Sequence, residues 1–404
     1  MRKFLAILIA VAFVVNVAAV TRIVITGWPG NPVEEQAIKN MVDAFNRKHK
    51  DIQVVWEPIV GDYKQTLMTR LSAGTGPDLF YVDVYVFEEL AKANVLLPLD
   101  SYIRRDNFDL EDFFPSLVEA FKYRGKIYGI AKDFSTLALW FNKEIFDKYG
   151  VPYLTNDETW ESLLQKLRML RDKGFETPLG LAADFNRVIP VIVSFGGRVV
   201  DPETLMIALG EPKSKEALQF YVDLVVKEKV AKEPASVGAG WLGEALAREL
   251  VAVVMEGPWT IGFMRESFPD TFKKMGIVEM PKGTQKSTMI YTVAWAINRE
   301  TPNKDAAWEV LKFLVTEGQE IFVKGAGVLA SRRSLAEKDT DPIKQVFYKG
   351  AEYGTPWRVP TPTGIFSVAN DQINSVLRDL FTEKLTIDEA IKFIEENYMK
   401  WVSQ

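Results

Sequence analysis

The chain has 404 residues, 48% of them hydrophobic and 25% charged, with a formal net charge of −5, one histidine and no cysteine. That length exceeds the usual size of one hydrophobic core, so two domains are expected. The acidic balance argues against nucleic acid or an anionic membrane as a partner, and the missing cysteine excludes disulfides, a thiol nucleophile and lipid attachment to a cysteine.

Arg2 and Lys3, an apolar run from Phe4 to Val15 and the small residues Ala18-Ala19 read as an export signal over residues 1–19, cleaved near Ala19. A retained N-terminal anchor is the alternative. The run is short for a membrane span, and no later stretch reaches the roughly 20 apolar residues such a helix needs. Losing Arg2 and Lys3 takes the charge from −5 to −7. A soluble periplasmic protein is expected, and it is not a lipoprotein.

Arg22 to Thr26 predicts a strand that ends in Gly27-Trp28-Pro29-Gly30, followed by Asn31 as a helix cap and Pro32 in the first helical position. Ile38, Met41, Val42 and Phe45 then fall at helical spacing, and Ile52 to Trp56 predicts the next strand. The alternation continues with a helix over Tyr63 to Ala73, a strand over Leu79 to Asp83 and a helix over Val86 to Ala93. This is the rhythm of an α/β protein with a mostly parallel sheet. After Leu97-Pro98-Leu99 it starts again, with strands at Lys126 to Ala131, Leu137 to Phe141 and Glu249 to Met255. Helices are expected over Trp160 to Arg171 and Lys213 to Lys227. A last apolar strand, Thr292 to Ile297, precedes a helix from Pro302 to Thr316 and a largely helical remainder to Tyr398. No Pro/Gly/Ser-rich joint separates two halves, so the backbone is expected to cross between domains more than once, through strands that act as a hinge.

Loops at the carboxyl ends of such strands are where ligands sit. Trp28 follows the first strand, Asp83 closes the third, and Trp259 follows Glu256-Gly257-Pro258 at a helix start. Singly, each has a blander reading as a packed indole or a capping carboxylate. Together they suggest a flat-faced ligand, in keeping with 12% aromatic residues and ten tryptophans. An indole fixed in a cleft can stack on a sugar ring, while Asp83, Asp133 and Glu34 or Glu35 accept hydrogen bonds from hydroxyls. Catalysis has little to work with. His49 lies in the charged run Arg47-Lys48-His49-Lys50-Asp51, which disfavours Ser-His chemistry and a histidine metal site. Gly74-Thr75-Gly76 and Gly325-Ala326-Gly327 lack phosphate-loop and dinucleotide spacing. A secreted carbohydrate-active enzyme using two carboxylates stays open as the alternative.

Lys126-Ile127-Tyr128-Gly129-Ile130-Ala131, followed by Leu139-Trp140-Phe141-Asn142-Lys143-Glu144 and Thr159-Trp160-Glu161, resembles the signature of the family 1 extracellular solute-binding proteins. That group includes the maltose- and trehalose-binding proteins of ATP-binding-cassette importers. Gly76-Pro77-Asp78-Leu79, Gly257-Pro258-Trp259 and Trp357-Arg358-Val359-Pro360 fall in the same order as in that family. The resemblance implies a Venus-flytrap fold of two α/β lobes, with crossovers near Ile130, Lys286 and Gly327. One lobe would hold residues 20–130 and 286–326, the other 131–285 and 327–404. It further implies a cleft lined by Glu34 or Glu35, Asp83, Asp133, Trp259, Trp357 and Arg358. Family members often carry a glycine pair and an aromatic where this chain has Ile290-Tyr291-Thr292-Val293-Ala294-Trp295, so Tyr291 or Trp295 is expected to supply that ring. The implied protein is a monomer without cofactor or metal that carries a carbohydrate to a membrane permease. Arg358 makes a phosphorylated polyol such as glycerol 3-phosphate the second choice of ligand.

Overall fold

The computed structural model of the protein describes residues 20–29, 32–356, 358–362 and 366–403. The expected export signal, the Asn31 cap and Trp357 lie outside the described residues. In chain order the described strands begin with β1 (Thr21–Thr26), β2 (Ile52–Trp56), β3 (Leu79–Asp83), β4 (Lys122–Tyr123), β5 (Lys126–Ile127), β6 (Gly129–Thr136) and β7 (Ala138–Asn142). They continue with β8 (Leu179–Gly180), β9 (Ala231–Lys232), β10 (Val253–Glu256), β11 (Met275–Val278), β12 (Met289–Ile297) and β13 (Thr355–Pro356).

Helix Pro32–Lys48 buries the stripe Ala37, Ile38, Met41, Val42 and Phe45, and its ends carry charges that suit the helix dipole, Glu34 and Glu35 first, Arg47 and Lys48 last. Such helices return the chain so that β1, β2 and β3 pair in parallel. Two main sheets result. The first runs β13-β12-β3-β1-β2, with β6 on the opposite edge of β12, and the second runs β11-β7-β10-β8-β9. Both are mixed rather than mostly parallel: β12 is antiparallel to β3 and β6, and β7 is antiparallel to β10 and β11. The antiparallel strands are those that enter a sheet from the other half of the molecule, which no helical return precedes.

Each sheet has its own core, built around Ile25, Phe45, Tyr81 and Trp295 in the first and Leu139, Leu167, Ile192 and Val253 in the second. A third cluster joins them, with Val82 of β3, Trp140 of β7 and Phe347 of helix Pro342–Tyr353 in one contiguous packing. The chain passes from the first sheet to the second at Leu137, later than the expected Ile130, because β6 stays paired to β12 through Thr136. It returns between β11 and β12. The two passages are bonded to each other: the Thr288 hydroxyl donates to the Leu137 carbonyl at 2.8 Å, and the Leu137 N–H donates to Thr288 Oγ1 at 3.1 Å. Helix Pro342–Tyr353 presses on this joint, since a Cβ on Gly350 would fall 2.7 Å from Thr136 Oγ1. Beyond it, helices Ser367–Phe381 and Ile387–Trp401 pack on the second half.

Candidate functional site

Strand β12 sets the site by its period of two. Tyr291, Val293 and Trp295 point to one face, at spacings of about 7 Å. Trp295 is 1% exposed and packs on Tyr81, ring centroids 4.5 Å apart, inside the first core. One step along, Val293 pairs with Asp83 on one side and Asp133 on the other, so two carboxylates flank it on a single rung. One step further, Tyr291 meets the edge of the Trp259 ring, centroids 5.8 Å apart at 75°. The same face thus changes from core to acid to aromatic contact with the second half.

The acidic rung contains a cation that alternation hides. In β6, Val293 opposes Asp133 and Ala294 opposes Ala131, so Lys132 is the extra residue of a β-bulge. The bulge lets consecutive residues meet, and the Lys132 ammonium bonds the Asp133 carboxylate while lying over the rings of Tyr81 and Phe322 at 4.9 and 4.5 Å. Burial pushes Asp83 up to about 6, and Asp133 adds to the shift. A 2.8 Å bond from the Tyr85 N–H and the Lys132 charge act in the opposite direction. Burial also raises Glu34, which feels both Lys132 and Asp133. Glu34 therefore belongs to this group. Trp28 stands beside it, edge-on to Tyr63 and Tyr81 at 5.1 Å each.

The second group comes from helix Phe185–Ser194 and from β10. Asp184 caps the helix by accepting the Asn186 N–H at 3.1 Å. Arg187 bonds Asp184, donates to Glu256 Oε1 at 2.8 Å and reaches the Met255 carbonyl at 3.4 Å. Glu256, 1% exposed, accepts the Trp259 indole N–H at 2.7 Å. Burial pushes the Glu256 carboxyl up, against the pull of Arg187 and of the Gly257 and Trp259 N–H groups. Burial also opposes the Arg187 charge, but Glu256, Tyr291 and Asp184 outweigh it and hold the guanidinium above its ordinary pKa. The Trp259 ring lies over Gly257, where any Cβ would come within 2.2 Å of it, yet the side chain remains 42% exposed. It is a fixed ring with an open face.

Three sequence expectations fare differently. Trp295 is a core residue and offers no surface to a ligand. Glu35 pairs with Lys39 along its own helix at 2.7 Å. Arg358 donates to the carbonyls of Ala120 and Lys122 at 3.2 and 2.9 Å and lies over the Phe87 ring, so its charge is spent on the scaffold. Arg187, Glu256 and Lys132 were not singled out from sequence. Pro190 inside helix Phe185–Ser194 masks the helical pattern that would have marked Asp184 as a cap. Among the described residues no group of three or more His, Cys, Asp or Glu could hold a metal ion. No described helix is long and apolar enough to cross a membrane.

A family model described as bacterial extracellular solute-binding protein matches residues 30–321, more than half of the chain. A maltotriose-binding protein of Pyrococcus abyssi is 25% identical over 385 residues, 91% of this chain and 80% of the relative. Among solved structures, an ABC substrate-binding protein of Listeria monocytogenes in complex with cycloalternan superposes with a TM-score of 0.79 at 25% identity, covering 94% of this chain and 98% of that one. The sugar-binding protein MalE of Xanthomonas citri reaches a TM-score of 0.85 at 18% identity, over 95% and 98% of the two chains.

Proposed function

Because this chain belongs to the bacterial extracellular solute-binding proteins, we propose that it is the binding subunit of an ATP-driven importer that closes around a neutral carbohydrate. The observation that carries this reading is Trp259, a half-open indole locked at its N–H and in edge contact with Tyr291, on the strand whose Val293 is flanked by Asp83 and Asp133. A sugar needs both. Its apolar face stacks on the ring, and its hydroxyls donate to Glu34, Asp83 and Asp133. The sugars bound by the relatives support the same class of ligand.

A phosphorylated polyol fits poorly, because Arg187, Lys132 and Arg358 already have partners and three carboxylates face the anion. In this reading one lobe holds residues 20–136 and 289–326, the other 138–278 and 367–403, and the passages at Leu137 and between β11 and β12 bend. Residues 1–19 direct export and are removed, the ligand leaves chemically unchanged, and the closed form presents both lobes to a membrane permease.

A thermal-shift screen against neutral mono- and oligosaccharides, polyols and glycerol phosphates tests the ligand. At a thousandfold excess over Kd the true ligand adds about 4 kcal/mol of stability. A response to phosphates alone overturns the neutral-sugar reading. Trp259→Ala is expected to weaken the sugar by about 1 to 3 kcal/mol in calorimetry, and unchanged affinity removes the ring from the site. Closure predicts a smaller radius of gyration by X-ray scattering with the sugar bound, and an unchanged radius rejects it. Chromatography of the recovered ligand should show it intact, and a cleaved product would make the protein an enzyme.

A further inference from the structure

We propose that Arg187 and Glu256 are positioning residues, which reach the ligand only through Trp259 and fix the orientation in which its ring is presented. The proposal deepens the carbohydrate reading and rests on it for its effect on affinity.

Trp259 is the first residue of helix Trp259–Ser267, where no preceding helical turn restricts its side chain. Three contacts remove that freedom. Gly257 lies under the ring, Tyr291 meets it edge-on, and Glu256 takes its N–H at 2.7 Å. Glu256 is the one of the three that fixes where the indole N–H points, because it accepts a hydrogen bond from it while the other two touch the ring. A carboxylate on the last residue of a strand would itself turn, but Arg187 holds the other oxygen, Oε1, at 2.8 Å. Arg187 is held in turn by Asp184 at the start of its helix and by the Met255 carbonyl. The chain Asp184, Arg187, Glu256 and Trp259 therefore runs from a capped helix to the exposed ring, each member with a partner on both sides. With the side chain of Glu256 nearly inaccessible and that of Arg187 14% exposed, neither offers much surface to a ligand. Their influence has to pass through the indole.

The protein labelled with 5-fluorotryptophan carries ten fluorines, and the Trp259 line is the one missing from Trp259→Phe. In the unmodified protein that line is expected to be single and narrow. Glu256→Ala and Arg187→Met should shift or broaden it, and so should Glu256→Gln, whose single amide oxygen cannot accept from both the guanidinium and the indole N–H. Glu256→Ala should also weaken the carbohydrate about tenfold, as part of what the ring itself contributes, and cause no further loss in a Trp259→Ala background. A residue that merely stabilises the fold would lower affinity equally in both backgrounds or not at all. An undisturbed Trp259 line in Glu256→Ala, or equal losses in both backgrounds, overturns the proposal. If Glu256→Ala does not fold, Arg187→Met carries the same two readings. A protein that binds no carbohydrate overturns the functional reading alone, because the fluorine line reports the ring without a ligand.

Discussion

Replacing Trp295 by alanine is expected to cost the folded protein about 3 to 5 kcal/mol, the usual cost of emptying a large aromatic site in a core. The indole is 1% exposed, tilted on Tyr81 at 4.5 Å and edge-on to Trp56 at 6.4 Å. Its strand is central to the first sheet, with β3 on one edge and β6 on the other, so no neighbour can collapse into the space without breaking pairing. Urea unfolding of the ligand-free protein measures this as a lowered midpoint. A loss under about 1 kcal/mol would mean that Trp295 is not packed as described. Trp259, on the same scale, should act chiefly on ligand affinity and little on the fold, because much of its surface is already in water.

Asp83 is expected to make the ligand-free protein less stable as the pH rises. Its carboxyl is pushed up to about 6 in the folded state against an ordinary 3.8, so folding favours the protonated form. The associated stability is fully present below about pH 4 and is lost as the pH rises through 6, in all about 3 kcal/mol. Asp83→Asn cannot ionise and should remove this share. The reading is the difference between the unfolding free energies of the two proteins at pH 4.5 and pH 7, which cancels the other titrating groups. A ligand hydroxyl that donates to the ionised carboxylate works against the burial, so binding near pH 6 should release protons. Calorimetry in two buffers of different ionisation enthalpy detects that release. Equal pH dependence in both proteins would show that Asp83 is not held in a dry environment.

What was legible in the sequence was what depends on local pattern. The strand-helix rhythm, the aromatic behind Gly257-Pro258 and the acid closing β3 all follow from spacing and turn chemistry, and each stands where the pattern put it. The choice between Tyr291 and Trp295 was not legible, because both lie on one face of β12 and differ only in depth, which neighbours on distant strands decide. Lys132 was hidden because a bulge suspends the alternation from which facing is inferred. Arg187 was hidden by a proline within its own helix. Arg358 shows the converse error: a guanidinium in a recognisable motif satisfies backbone carbonyls as readily as it binds an anion.

The interleaving of the two sheets also fixes an order of assembly. All five strands of the second sheet lie between residues 138 and 278, whereas the first sheet lacks its central strand until residue 297 has been made. Until then β3 and β6 have no partner between them, and the amino-terminal half has open strand edges. Synthesis from the amino end therefore cannot complete the amino-terminal lobe first, in contrast to the usual sequence for domains in a row. A chain built this way closes its first sheet only after most of its length has emerged.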